Sequence, residues 1–269
     1  MSHIQSSLDG RKLGLDNEDK LISIKGFRSG PHGKQVDAPS PNRVVFFDDF
    51  LGDIIADQWS ALEGTDGATS DAAILVGGIG GVLRLTTGDA GTGIAADMEQ
   101  ITQALQWQAS NGDLVIQARL KMSAITTCYA FIGFTDLVTF EAPVIGATGT
   151  TITTNATDAV GFLFDTTLTA VKWHLVGVAN NVDATLQETT VAPVGDDYAT
   201  YRVRVTSAGV ATFFINGVQV GTPMSGAVTP AVDLTPTIAV SKLSVAASMT
   251  MDIDYVHVAM DRLVDGDAV

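Results

Sequence analysis

The 269-residue chain has a single cysteine, Cys128, so it builds no intramolecular disulfide framework and no multi-cysteine zinc site. Glutamate is nearly missing, at positions 18, 63, 99, 141 and 188 only, and lysine is almost as scarce. Those two residues normally coat exposed helix faces, so their scarcity counts against a helical protein. Basic residues number 15 against 30 acids, and the net charge of -15 argues against phosphate-backbone binding as the main activity. No apolar run reaches the roughly 18 residues of a spanning helix, and the N-terminus MSHIQSSLDG has no apolar signal core. These absences lead to the expectation of an acidic, soluble chain outside the Sec export route, with neither nucleic acid nor membrane as a partner.

What is present is Thr, Val, Ala, Gly and Asp, the profile of strands joined by turns. Charge is unevenly spread. Residues 1–43 hold seven Lys/Arg against five acids, a net of +2; the remainder holds eight against 25, a net of -17. The early segment has few large apolar residues, and it closes on the Pro/Gly/Ser-rich stretch SGPHGKQVDAPSPN. It cannot bury enough apolar surface to fold alone, so it is expected to be an extended N-terminal arm and linker, followed by one domain over 44–269. Its one strand-like patch is LISIKGF at 21–27.

From residue 44 the apolar period is two. In DLVIQARLKM (113–122), Leu114, Ile116, Ala118, Leu120 and Met122 share one face, while Gln117, Arg119 and Lys121 share the other. CYAFIGF (128–134) is apolar on both faces and reads as a central strand covered on both sides. Further strands are expected at 43–50, 81–88, 93–98, 160–165, 171–178, 236–245 and 249–260. YRVRV, ATFFI and VQVG form successive hairpins, the second turning at Asn216-Gly217. A short helix is allowed only at DMEQITQALQWQA (97–109). About a dozen strands without intervening helices give an all-β antiparallel sandwich or barrel.

FFDDFLGDIIADQW (46–59), the double hairpin YRVRVTSAGVATFFINGVQVGT (201–222) and the closing MDIDYVHVAM (251–260) resemble concanavalin A-like, laminin-G-type jelly rolls. The resemblance spans about 44–262 and implies a two-sheet jelly-roll sandwich with a flat back sheet and a concave front sheet. Lectins, glycan hydrolases, adhesion modules and virion proteins all share that fold, so it leaves function open. The arm, the Thr/Ala/Gly/Val-rich body and the lone cysteine resemble in style the virion structural proteins of tailed bacteriophages, among them capsid decoration (cement) proteins and tail components.

Jelly-roll hydrolases need paired carboxylates, which in glucanases alternate along one strand as Glu-x-Asp-x-(x)-Glu. No glutamate here has Asp two positions later, so no catalytic residue is expected. There is no G-x-S-x-G elbow. Cys128 lies in the most apolar strand and reads as inert packing, and His174 and His257 read as ordinary strand histidines. No cofactor is expected; Asp252, Asp254 or the Asp48/Asp49 pair could hold calcium, since hard cations take carboxylate oxygens, although no loop shows Asp-x-Asp-x-Asp-Gly spacing.

The expectation is therefore a non-enzymatic virion structural protein, assembled in the host cytoplasm, that decorates a phage capsid. Its partners would be capsid or other virion proteins and further copies of itself, with a trimer at three-fold positions as the family-level expectation. Its contacts would come from the arm: Arg11, Lys12, Leu21, Ile22, Ile24, Phe27 and Arg28. The alternative is a glycan-binding, lectin-like host-attachment module of a tail or fibre. In that reading Trp107, expected in an exposed irregular stretch, and Trp173 would stack on sugar faces.

Overall fold

The structure is a computed structural model that describes residues 7–8, 11–12, 43–52, 54–65, 70–75, 80–89, 91, 93–139, 143–243 and 247–262. The chain divides into two units, Met1–Arg43 and Val44–Val269. In the first, β1 (Ser7–Leu8) and β2 (Arg11–Lys12) pair antiparallel as a small hairpin. The side chains of the arm contacts, Arg11, Lys12, Leu21, Ile22, Ile24, Phe27 and Arg28, lie outside the described residues.

Next come β3 (Arg43–Asp48), β4 (Ser60–Glu63), β5 (Asp71–Ile74), β6 (Leu83–Thr86), β7 (Glu99–Thr102), β8 (Leu114–Met122), β9 (Cys128–Thr135) and β10 (Ile145–Thr148). They are followed by β11 (Thr151–Thr154), β12 (Ala159–Asp165), β13 (His174–Ala179), β14 (Val182–Asp183), β15 (Gln187–Glu188) and β16 (Ala199–Val205). The chain closes with β17 (Ala211–Ile215), β18 (Val218–Met224), β19 (Thr235–Lys242) and β20 (Thr250–Asp261). The first large sheet runs β14-β13-β12-β9-β19-β7-β4, with β15 also on β13. The second runs β18-β17-β16-β8-β20-β6-β5, with β3 also on β20. The body is thus a sandwich of two antiparallel sheets, as the period-two pattern predicts.

Alternation decides which side chains meet between the sheets. Leu114, Ile116, Ala118, Leu120 and Met122 of β8 enter the main core, against Val160, Phe162 and Phe164 of β12 and Val256 and Val258 of β20. Aromatic packing is concentrated near β13: the Trp173 ring lies 4.7 Å from Tyr201 and 6.0 Å from Phe162. β9 is buried along its whole length, as expected for a central strand. Asn216 and Gly217 both have positive φ, the geometry of a type I′ hairpin turn.

Two expected elements are different. No helix forms over 97–109; β7 occupies Glu99–Thr102 and a single 3-10 turn occupies Ala109–Asn111. The strand expected at 93–98 moves to β7, with 94–96 forming a turn instead. β7 sits between β19 and β4, and Ile101 enters the main core while Thr102 bonds Thr235 at 2.9 Å and Thr237 at 3.2 Å. Sheet pairing overrides the weak helical spacing here.

Candidate functional site

The outer face of the first sheet is not an open groove. Tyr129 and Phe131 of β9, Leu163 of β12, Val176 and Val178 of β13 and Ala239 of β19 form a second apolar core. The β10–β11 hairpin covers it with Ile145, Ala147 and Ile152, joined by Ile94, Leu137, Leu168 and Leu186. Gly161 occupies the middle of this face because a Cβ there would stand 2.9 Å from the Phe131 ring. Asp165 anchors the cover. Its Oδ1 accepts from the Thr167 amide at 2.8 Å, and the Thr167 hydroxyl, with one proton to give, lies between that Oδ1 at 2.7 Å and the Ala147 carbonyl oxygen at 2.6 Å. The Gly149 amide donates to Thr167 O and the Thr169 amide to Gly149 O, so the hairpin is tied down at its tip as well.

At the end of this face, where β9 begins, β12 and β19 end and the chain enters β13, a cavity of about 390 Å³ opens. It is lined by Ile125, Thr126, Thr127, Thr166, Thr167, Val171 and Leu243. Val171 is 50% exposed beside it. Thr127 has φ 52°, a left-handed conformation that a β-branched residue adopts only under constraint. That constraint comes from the sheet, since the Leu243 amide donates to the Thr127 carbonyl at 2.8 Å. The Thr166 hydroxyl closes on the Cys128 backbone, accepting from its amide at 3.0 Å and donating to its carbonyl at 3.2 Å.

The titratable groups on the strand ends beside the cavity are all buried or paired. Burial pushes the Asp165 carboxyl above its usual range, against the hydrogen bonds from Thr167 and Ala147 that favour the charged form. Burial lowers His174, whose Nδ1 has no hydrogen-bond partner among the described residues. Lys172 holds Glu188 at 2.7 Å and pulls that carboxyl down through the hydrogen bond and the charge. Lys242 is 8% exposed, and its Nζ donates to the Thr126 carbonyl at 2.7 Å. Cys128 is packed in the core, with burial raising its thiol to about 12, so it is no nucleophile at neutral pH.

The residues singled out for sugar stacking are elsewhere. Trp107 is 2% exposed, its Nε1 donating to Gln103 Oε1 at 3.1 Å and its backbone pairing with Leu234. Trp173 is 0% exposed in the main core. Neither offers a ring face to a ligand. The expected outward position of Trp107 is corrected by these bonds, which satisfy its indole and backbone inside the fold. Three of the four aspartates considered for calcium are engaged too. Arg84 grips Asp252 at 2.7 and 2.9 Å, Arg119 bonds Asp254 at 2.7 Å, and Asp48 accepts from the Phe50 amide and the Trp59 indole. Among the described residues no three His, Cys, Asp or Glu side chains gather as a metal site.

The cavity was invisible in the sequence because its walls come from three distant segments, 125–127, 166–171 and 243. Its local signal is the threonine pairs at 126–127 and 166–167, each at the end of an apolar strand.

No family model and no curated protein matches this chain. Solved structures do. A native glycosidic hydrolase is similar at 12% identity and TM-score 0.54, covering 82% of this chain and 97% of its own. The β-glucanase of Bacillus licheniformis has 12% identity and TM-score 0.54, over 80% of this chain and 97% of that one. The carbohydrate recognition domain of Emp47p has 9% identity and TM-score 0.54, over 81% and 95%. The fold is therefore the concanavalin A-like jelly roll. The comparison also corrects the exclusion of enzymes: structures similar to this chain include hydrolases, so a missing Glu-x-Asp-x-(x)-Glu strand does not remove it from a catalytic class.

Proposed function

We propose that this chain is a glycan-binding module whose sugar enters the cavity at the β9, β12 and β19 ends. The cavity itself carries the proposal. Its volume falls in the range of small-ligand sites. Four threonines and three aliphatic side chains line it, a mixture that suits a pyranose, which presents both hydroxyls and C–H surface. A carbohydrate recognition domain and two carbohydrate-cleaving enzymes among the similar structures support the class of ligand.

The test is a glycan array followed by calorimetry, with Val171→Glu introduced beside the cavity. Saturable binding by the native chain and at least tenfold weaker binding by the variant are expected. Unchanged binding in the variant would sink this location. Turnover of a mixed-linkage β-glucan is measured on the same samples.

A second reading concerns residues 1–43: an arm that joins this chain to neighbours in an assembled particle, such as a phage virion. Its support is the charge division, +2 against -17 for the rest. Deleting residues 2–40 should abolish self-association or particle binding, and retention of both counts against the arm.

A further inference from the structure

We infer that β3 is a docking edge for a second copy of this chain, the two β3 strands pairing antiparallel about a two-fold axis at Phe46. β3 pairs with β20 on one side, and among the described residues no strand pairs with its other side. An edge strand turns alternate amides and carbonyls outward, ready to pair with another chain. The sequence of β3, RVVFFD, contains no proline, glycine or lysine to blunt that edge. Its outward residues are apolar, Val45 being 44% and Phe47 56% exposed. Of the ten large apolar residues exposed among the described residues, four fall in 45–54, with Leu51 and Ile54 as the other two. Such a concentration marks an interaction surface, where scattered single residues would not.

The strand is held ready for a partner. Val44 and Phe46 pack inward against the main core, and the Phe46 ring meets Trp59 edge-on at 5.5 Å. Asp48 takes the Phe50 amide at 2.8 Å and the Trp59 indole at 3.0 Å. On the outward side Phe47 stacks on Tyr255 at 5.8 Å, and Gln117 donates to the Tyr255 hydroxyl at 2.8 Å. The sequence of the strand identifies the occupant. Residues directly opposite in an antiparallel pair share one face, so outward residues must meet outward residues. A two-fold axis at Phe46 sets Val45 opposite the partner's Phe47, and Arg43 opposite the partner's Asp49, at both ends. Apolar then meets apolar, and each cation meets a carboxylate. Centring on Val45 instead would oppose Arg43 to Phe47, and centring on Phe47 would oppose Val45 to Asp49. An isologous contact has to be self-complementary, and the Phe46-centred register is.

The experiment is sedimentation of the full chain over a concentration series, at moderate salt so that repulsion between two acidic bodies is screened. The native chain should form a dimer in roughly the micromolar range, as suits a small interface. Val45→Glu or Phe47→Lys alone should weaken it at least tenfold. The double variant sets the two introduced charges opposite each other across the axis and should restore most of the affinity. Hydrogen exchange on the native chain needs no substitution: protection of the amides in 44–48 should rise with protein concentration. A native chain that stays monomeric overturns the proposal. So does a dimer that neither single variant weakens, or a double variant that associates no better than the singles. The chain lacking residues 2–40 should keep this dimer; its loss there would assign the contact to the arm and overturn the pairing of β3 with β3.

Discussion

Glu99 faces Glu63 directly across the β4–β7 pair, and Asp71 of the other sheet adds to the negative field. It is fully buried, and among the described residues both its carboxyl oxygens lack a hydrogen-bond partner. Burial first, then those two acids, raise its pKa from 4.5 to about 9. The group is therefore a neutral acid at pH 7. Below pH 4.5 it is protonated in both folded and unfolded chains, and its contribution is fully present. Between 4.5 and 9 the unfolded chain gives up a proton that the fold retains, so stability falls as pH rises through this window, by up to about 1.4 kcal/mol per pH unit. Glu99→Gln should flatten that slope: urea unfolding at pH 5 and pH 9 should show a smaller loss in the variant. A difference between the two proteins that stays constant with pH would exclude Glu99 as the source. Trp107 gives a second outcome at this scale. Because it is packed in the core, Trp107→Ala should cost about 3–5 kcal/mol of stability, whatever it does to binding. A variant that keeps its melting temperature and loses only sugar binding would place the indole at a ligand after all.

β18 is an edge strand of seven residues with an exposed outer row, the kind of edge that invites pairing with another chain. Three residues blunt it. Pro223 lacks an N–H, and Gly221 at φ 66° breaks the strand geometry. The third is Gln187 of β15, in the other sheet. Its Oε1 accepts from the Thr222 amide at 2.9 Å and its Nε2 donates to the Thr222 carbonyl at 3.2 Å, so one side-chain amide imitates a neighbouring strand. Gly221 allows this approach, since a Cβ there would stand 2.8 Å from Gln187 Oε1 and 2.4 Å from Leu175. Gln187→Leu should cost about 0.5–1.5 kcal/mol in thermal unfolding and raise concentration-dependent light scattering. A variant that scatters like the native protein would show that Pro223 and Gly221 suffice. Elements of this kind divide sharply in how far sequence reveals them. β8 and the Asn216-Gly217 hairpin follow from alternation and turn chemistry, because neighbours along the chain carry the whole signal. β10, β11 and β15 do not. Their residues are half polar, and each is held by a distant segment: 165–169 for the hairpin, Thr222 for Gln187. The cover over the first sheet, and the cavity beside it, were hidden for the same reason.

At the scale of the molecule, the few positive charges are concentrated. Of the eight Lys/Arg in 44–269, Arg84, Arg119, Lys121, Arg202 and Arg204 lie on strands β6, β8 and β16 of the second sheet. Arg84 and Lys121 share Asp252, Arg119 takes Asp254 and the face of Tyr198, and Arg204 takes Asp113. Arg202 lies over the Phe214 ring at 4.0 Å. A body with a net of -17 thus locks its strands together where opposite charges are adjacent, and leaves most of the remaining acids to repel one another. Every described strand pairing in the sandwich is made by residues 43–261. None of it requires β1 or β2. A chain lacking residues 2–40 should therefore unfold cooperatively with a melting temperature within a few degrees of the full chain. Both should become more stable between low and moderate salt, because screening weakens the repulsion of the acidic body more than it weakens the partly buried pair of Arg84 with Asp252. If the shortened chain instead melts far lower, the arm is part of the fold, and the division at residue 43 separates charge without separating stability.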